Sequence, residues 1–520
     1  TADEPYFEDF ENDPPGWYST YDSINTIINS WTFKDVNSSD FPRTAASGAK
    51  AWYTDINDRT LVEQSWVSSP CFNLSGLYRP MIRFSIKRSF ERDRDGAVLQ
   101  YTADHGKTWN NVGTLDDGSI SWYNSYRIQN GPGGQEQGWT GDFTFKPDAS
   151  WVIAKHELDN LRTKPIIQFR FAYGSDGSSV VQNEGFAFDD VFIGERTRLV
   201  LLEHFTSAAD STCKNANDEV NNLVSENVLD IIDIQYHVGD LGTDKMYTDY
   251  PIGPGARSLY YGISTFPYTY FDGGGSSGQY VYDYITSDLN ELNLYTRVLR
   301  DPDFGIDIQA ETQNGQMNIS VEITALNNMA LSSYTVHTAV IEKEIDDPAY
   351  HGAFNQTRFE NVVRKMLPDA GGTIFTREWV KGEKENFSLD WNIQNVLNED
   401  LLYVVVFIQN RDTKEVYQAA TNDPDALAGP VSTFMHAKNL ELLIFPNPAS
   451  DVTNILFSDP LAERTTLQVF NHMGALIGIY QIESGISLHQ MNVQDYRKGV
   501  YYLRIVQGNK LIGVSKLMVF

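Results

Sequence analysis

Cys213 is the residue best equipped for covalent chemistry. It closes the run Asp210-Ser211-Thr212-Cys213, with His204 and His237 on either side in the chain. A thiol attacks as its thiolate, which forms at neutral pH when a base or a cation stands beside it. Asp210 acts in the opposite sense, because a nearby carboxylate raises the thiol pKa. The chain holds two cysteines. Cys71 falls in a different predicted domain, so both are expected as unpaired thiols without a disulfide framework.

Carboxylates are the most abundant reactive groups: 69 Asp and Glu against 40 Lys and Arg, a formal net charge of −29. That surplus keeps a protein soluble outside the cell and offers oxygen ligands to calcium. It also repels a phosphate backbone, so nucleic acid is not an expected partner. Adjacent acids such as Asp116-Asp117 and Asp346-Asp347 carry little information in so acidic a chain, since a glycosidase needs two carboxyls at a set separation in a cleft. Asp93-Arg94-Asp95-Gly96 begins like an EF-hand loop, but its glycine falls at the fourth position and Asp104 stands where a glutamate is needed, so a tight turn is expected. His-Glu-x-x-His and Walker patterns are missing from the sequence. Gly273-Gly274-Gly275 lacks the strand-to-helix setting of a phosphate loop and reads as a turn. Trp17, Trp52, Trp109, Trp122 and Trp139 offer either a sugar-stacking platform or core packing, and the weight of aromatics in cores favours packing.

The elements that position these residues are mostly strands. A chain of 520 residues exceeds one hydrophobic core and implies several domains. Tyrosine and phenylalanine number 28 each, a β-rich composition. From Tyr6 to about Glu195, strand-like runs such as Met81 to Ile86 alternate with turn clusters, which predicts an antiparallel sandwich. Within it Ile167, Phe169 and Phe171 share one face while Gln168 and Arg170 share the other. From Arg198 to about Thr296 the order is strand Leu199 to Phe205, helix Asn215 to Glu226, strand Val228 to Tyr236, which predicts a β-α-β unit with parallel strands. Asp301 to Ala420 returns to alternation and predicts a second sandwich, with a buried run at Leu401 to Ile408. Thr421 to Lys438 reads as a linker, and Leu442 to Phe520 as short strands. No eighteen-residue apolar run occurs, and Thr1 to Pro5 lack the features of a signal peptide, so an exported protein is expected here in mature form.

The last stretch carries Phe445-Pro446-Asn447-Pro448-Ala449-Ser450-Asp451, Leu467-Gln468-Val469-Phe470-Asn471, Gly499-Val500-Tyr501-Tyr502-Leu503-Arg504-Ile505 and Lys516-Leu517-Met518-Val519-Phe520. It resembles the type A C-terminal sorting domain of type IX secretion substrates from Bacteroidota. The two prolines set extended geometry at the entry, and the Gly499 run supplies a strand for a small seven-stranded sandwich. The resemblance implies passage through an outer-membrane translocon, capture by a β-barrel shuttle, and usually removal of the domain by a sortase that joins the cargo to lipopolysaccharide.

The N-terminal stretch carries Phe10-Glu11, Gly16-Trp17, Ser69-Pro70-Cys71-Phe72-Asn73-Leu74, Asp104-His105-Gly106-Lys107-Thr108-Trp109 and Gly185-Phe186-Ala187-Phe188-Asp189-Asp190. It resembles jelly rolls of the MAM and cleaved-adhesin type. That resemblance implies a structural calcium held by Glu11 and Asp189, with Asp190 competing; the alternative is a solvated Glu11 and a strand-capping Asp189. Leu201-Leu202-Glu203-His204-Phe205-Thr206 and Thr265-Phe266-Pro267 resemble the redox-loop entry and cis-proline of a thioredoxin-like outer-membrane module. Asp210 stands where that family has its nucleophilic cysteine, and a carboxylate forms no mixed disulfide, so ordinary disulfide exchange is not expected. Val404 to Asn410 and Lys414 to Ala420 resemble the β-domain that comes after this module.

The expected protein is mainly β and multidomain: a jelly roll over 1–197, a thioredoxin-like α/β domain lacking Cys-x-x-Cys over 198–298, a β-sandwich over 299–422, a linker over 423–439 and the small immunoglobulin-like sorting domain over 440–520. Its expected role is binding or adhesion at the cell surface, without catalysis, with the β-barrel shuttle, the translocon and surface proteins or glycans as partners. One alternative is an accessory subunit of the secretion or gliding machinery that keeps its sorting domain. Another is a thiol oxidoreductase or glycan-active enzyme.

Overall fold

The computed structural model describes the chain apart from residues 1–4, 13, 15, 25, 27, 37–40, 56–61, 142–150, 178–184, 240–243, 276–277, 288, 424–441, 446–448, 458–460, 462–463, 472–475, 495, 508–509 and 520. It divides into two compact units, Thr1–Thr433 and Phe434–Phe520. Among the described residues no helix is long and apolar enough to cross a membrane.

The first unit opens with two antiparallel sheets. One has the order β3 (Trp31–Asp35), β4 (Lys50–Thr54), β11 (Gly185–Glu195), β6 (Pro80–Ser89), β9 (Val152–Glu157), with β1 (Tyr6–Glu8) paired to β11. The other has the order β2 (Tyr18–Tyr21), β5 (Glu63–Phe72), β10 (Ile167–Ser175), β7 (Gly96–Thr102), β8 (Asn110–Asn111). Strand β10 shows why they form: Ile167, Phe169 and Phe171 enter the shared core with Phe84, Trp139 and Phe188, while Gln168 and Arg170 take the other face. Burying each such aromatic contributes about 1.5–3 kcal/mol.

Strands β12 (Val200–Thr206) and β13 (Ile231–His237) run parallel, from Val200↔Ile231 to Thr206↔His237, with helix α1 (Ser211–Glu226) between them in sequence. This is the predicted β-α-β unit. The helix begins before the predicted Asn215 because Asp210 caps it, accepting a hydrogen bond from the Thr212 amide. Helices α2 (Lys245–Asp249), α3 (Ile252–Tyr261) and α4 (Glu291–Val298) and strands β14 (Tyr268–Phe271) and β15 (Val281–Tyr282) complete this region.

Its sheet continues across residues 298 and 299, where the sequence pattern places a domain boundary. The order is β15-β14-β12-β13-β19-β18-β22-β23, with β20 on β18, where β18 is Met329–Ile345, β19 Phe359–Leu367, β20 Thr373–Trp379, β22 Leu402–Asn410 and β23 Val416–Thr421. The bridge is a parallel contact between Gln235 and Val362. Strand β22 shows how a sheet can be so wide: Val405 and Phe407 enter the core beside β12 and β13, while Val404, Val406 and Ile408 enter a second core. A run that is apolar on both faces belongs inside a covered sheet. The second core also takes Phe304, Ile319, Val321 and Ile323 from a three-stranded sheet of β16 (Phe304–Gln313), β17 (Gln316–Ala325) and β21 (Lys384–Asn392).

Buried arginines tie the jelly roll to the α/β region. Asp230 accepts from Arg79 Nε and Arg196 Nε at 2.9 Å each, and Arg196 also grips Asp159 at 2.7 and 2.8 Å. Asp272, buried at the head of the glycine turn, pairs with Arg198 at 2.8 Å and Arg297 at 2.7 Å. That turn needs glycine: a Cβ on Gly273 would collide with the Lys414 carbonyl oxygen.

The second unit has a three-stranded sheet, β24 (Leu442–Phe445), β25 (Val452–Phe457), β28 (Leu488–Asn492), and a four-stranded one, β27 (Leu476–Ile482), β26 (Thr465–Asn471), β29 (Gly499–Gln507), β30 (Lys510–Val519). Ile455, Leu467, Val469, Leu503, Ile505 and Leu517 fill its core.

Candidate functional site

The outer face of the β2-β5-β10-β7-β8 sheet carries a stack of unlike side chains. Arg170 on β10 lies opposite Gln100 on β7, and Ala172 lies opposite Trp66 on β5. The Arg170 guanidinium carbon sits 4.3 Å from the Trp66 ring centre and 4.1 Å from that of Trp109, which precedes β8. Two indoles thus cover this cation, an arrangement worth about 0.5–2 kcal/mol per ring. Its Nε donates to Gln100 Oε1 at 2.8 Å. Arg170 is 7% exposed, and burial alone lowers its pKa to about 10. No carboxylate pairs with it among the described residues.

A turn over residues 130–134 walls this face. Gln64 Oε1 accepts from the Gly133 amide at 3.1 Å, and Gln64 Nε2 donates to the Gly131 carbonyl at 3.2 Å. Gln100 Nε2 donates to the Gly133 carbonyl at 3.2 Å, so the amide that holds Arg170 is itself held. Gly133, at φ 60°, lies where a Cβ would strike the Gln100 side chain. Asp22, Gln64, Trp66, Asn130, the turn glycines and Arg170 border a cleft of about 680 Å³.

Of the five tryptophans that the sequence offers for stacking or packing, Trp17, Trp52, Trp122 and Trp139 are buried in the jelly-roll core. Trp109 alone joins the outer stack. Trp66 completes that stack and escapes a reading of the sequence, because its place depends on the β5–β10 register, which no local pattern shows.

Glu11 and Asp189 converge on one backbone segment. Glu11 Oε1 accepts from the amides of Ala49 at 2.8 Å and Lys50 at 2.9 Å. Asp189 Oδ2 accepts from Ala46 at 2.9 Å and Ser47 at 3.3 Å. These amide bonds lower the Glu11 pKa. Asp189 is fully buried, and burial with the neighbouring Asp190 carboxylate raises it to about 7. The Glu11 and Asp189 carboxylates both already accept from backbone amides, and among the described residues no group of three or more His, Cys, Asp or Glu side chains is gathered to hold a metal ion. Two carboxylates supply only part of the roughly six oxygens that calcium takes.

At the α1 N-terminus Asp210 Oδ1 takes the Thr212 amide at 2.7 Å, and its pKa is lowered. Cys213 is buried, and desolvation pushes its thiol up to about 11, with Asp210 and Asp244 adding to the rise. His204 bonds Thr269 Oγ1 at 2.8 Å and Asn217 Oδ1 at 2.9 Å, and burial lowers it to about 4. His237 Nδ1 bonds Asp244 at 2.7 Å. Both histidines are engaged with partners other than the thiol. The Phe266–Pro267 bond is cis. Both cysteines are free.

In the second unit Pro446, Asn447 and Pro448 lie outside the described residues. Gly499 opens β29. Tyr501 is buried and donates to the Arg497 carbonyl at 2.7 Å, and Lys516 stands opposite Tyr502 in the β29–β30 register.

Among solved structures, the chain is similar to HBP35 of Porphyromonas gingivalis, at 13% identity over 63% of this chain and 100% of that one, with a TM-score of 0.35. It is also similar to the K3 cleaved adhesin domain of Lys-gingipain from Porphyromonas gingivalis, at 13% identity over 36% of this chain and 98% of that one, TM-score 0.22. A domain of the outer membrane lipoprotein Omp28 from the same species matches at 16% identity over 23% of this chain and 86% of that one, TM-score 0.17. No curated protein matches the chain. Residues 443–519 match the family model for the secretion system C-terminal sorting domain, so this chain carries a type IX secretion sorting domain and is a protein exported to the cell surface.

Proposed function

We propose that this is a binding protein of the cell surface, without catalysis of its own, that engages its ligand on the outer face of the jelly roll at Trp66, Arg170 and Trp109. The observation that carries the reading is a guanidinium lying over two indoles at the edge of a cleft, with no carboxylate to neutralise it among the described residues. The buried arginines around Asp230 and Asp272 are neutralised; this one is kept for something that arrives. The sorting domain docks on the outer-membrane β-barrel shuttle, with Pro446, Asn447, Pro448, Gly499, Tyr501 and Lys516 as the residues of its sorting motif. The buried thiol of Cys213 supports a redox-silent α/β module.

The test is adhesion of purified full chain to glycan and protein arrays, with Trp66→Ala and Arg170→Met alongside. Loss of capture in both variants with an unchanged circular dichroism spectrum is expected; capture unaffected by either would place binding elsewhere. A structural calcium at Glu11 and Asp189 belongs to the same reading. Adding a chelator should lower the melting temperature of the wild type and leave Asp189→Asn unmoved, and equal curves with and without chelator would remove calcium from the account.

A further inference from the structure

The geometry points to an acidic saccharide as the ligand of the jelly-roll cleft, with a sugar carboxylate, from a hexuronate or a sialic acid, gripped in plane by the two Nη groups of Arg170. This rests on the proposed binding reading and deepens it.

Which surfaces of the guanidinium are free decides what can reach it. The guanidinium lies over two indole rings, Trp66 at 4.3 Å and Trp109 at 4.1 Å. Along its edge, Nε is taken by Gln100. Nη1 and Nη2 have no hydrogen-bond partner among the described residues, and Arg170 borders the cleft. What remains is a coplanar pair of charged donors, the shape that matches a carboxylate with two parallel bonds.

The same stack argues against a neutral sugar as the principal ligand. An indole recognises a neutral sugar by its face, and here Arg170 lies over both indole rings. The tryptophans hold the cation and keep water off it, so recognition passes to charge. Desolvation increases the value of that charge, since a half-dry guanidinium gains more from an arriving anion than a hydrated one does.

The cleft fits a saccharide better than a lone small anion. At about 680 Å³ it lies in the range of organic ligand sites. The Asn130–Gly134 turn is fixed from beneath by Gln64 and Gln100, which makes the wall pre-formed.

The experiment is calorimetric titration of the full chain with oligogalacturonate, with its carboxyl-reduced neutral counterpart, with sialyllactose and its asialo form, and with a sulfated galactan. Binding of one carboxylated form at least roughly tenfold tighter than its neutral partner is expected, as for a charge-assisted bond; which acid form binds identifies the source. Arg170→Met should abolish the preference, and Arg170→Lys, which keeps the charge but not the fork, should recover only part of it. Equal binding of acid and neutral forms overturns this inference and leaves the binding reading standing. A sulfated galactan bound as tightly as the best carboxylated sugar overturns the carboxylate assignment. No binding of any saccharide by a folded protein overturns the inference, and capture of a protein ligand on the array by the same face would keep the broader reading.

Discussion

Two arginine-rich places in the first unit are built from the same residue and do opposite things. At the seam between the jelly roll and the α/β region, Arg79 and Arg196 share the buried Asp230, whose pKa they lower. On the outer jelly-roll face Arg170 is nearly as buried, yet is met by two indoles and an amide instead of a carboxylate. A buried charge normally appears with its counter-charge, because desolvation costs several kcal/mol per ion. On the proposed reading, the counter-charge withheld from Arg170 is left for a ligand to supply.

Substitution at each place tests that contrast. Asp230→Ala leaves the buried Arg79 without its carboxylate and Arg196 with Asp159 alone, and should lower stability by about 3–5 kcal/mol, read as a fall in the denaturant midpoint of the full chain. Arg170→Met removes a desolvated cation that has no partner carboxylate, so the midpoint should stay within about 1 kcal/mol of wild type while ligand capture is lost. A large loss of stability in Arg170→Met would make the stack structural and erase the distinction.

The acids divide in the same way, and pH reads the division. A carboxyl whose folded pKa lies above its unfolded value binds its proton more tightly when folded, so its unfavourable effect grows as pH rises. Asp189, raised to about 7, should make stability fall as pH rises from about 4 to 7 in metal-free buffer, and Asp189→Asn should flatten part of that slope. Asp233, raised to about 7, slopes the same way. Asp230, Asp272 and Asp244, all lowered, contribute stability that is lost only as pH falls through their folded pKa values. Because His204, lowered to about 4, acts in the opposite sense, the Asp189 effect is read from the difference between wild type and Asp189→Asn, and a difference that stays flat from about pH 4 to 7 would contradict the placement of Asp189. The smallest effect is chemical: with its thiol pushed to about 11, Cys213 should resist alkylation at pH 8 in the folded chain, while the half-buried Cys71 is modified first, as peptide mass mapping would show.

Much of the outer face is legible in the sequence. Alternation puts Gln168 and Arg170 on the face opposite Ile167, Phe169 and Phe171, and the structure agrees. The burial of Arg170 is not legible, since it comes from Trp66 and Trp109 on other segments. The wide central sheet is hidden for a similar reason. The β-α-β order is a local pattern, but the Gln235–Val362 contact that joins it to the later strands depends on pairing between distant segments. Glu203 is a further case: set between Leu202 and His204, it gives no sign that Arg257 at 3.0 Å and Tyr236 at 3.1 Å surround it in the core.

The breadth of that sheet also sets an order of events in time. Strands β12 and β13 can meet early, but Arg198 completes its bonds only on reaching the carbonyl of Tyr417, 219 residues onward. Contacts so distant along the chain close slowly, because the loop entropy must be met before the pairing rewards it. The jelly roll has every strand it needs by Glu195 and can condense first, whereas the middle of the molecule stays unfinished until its last strand has been made.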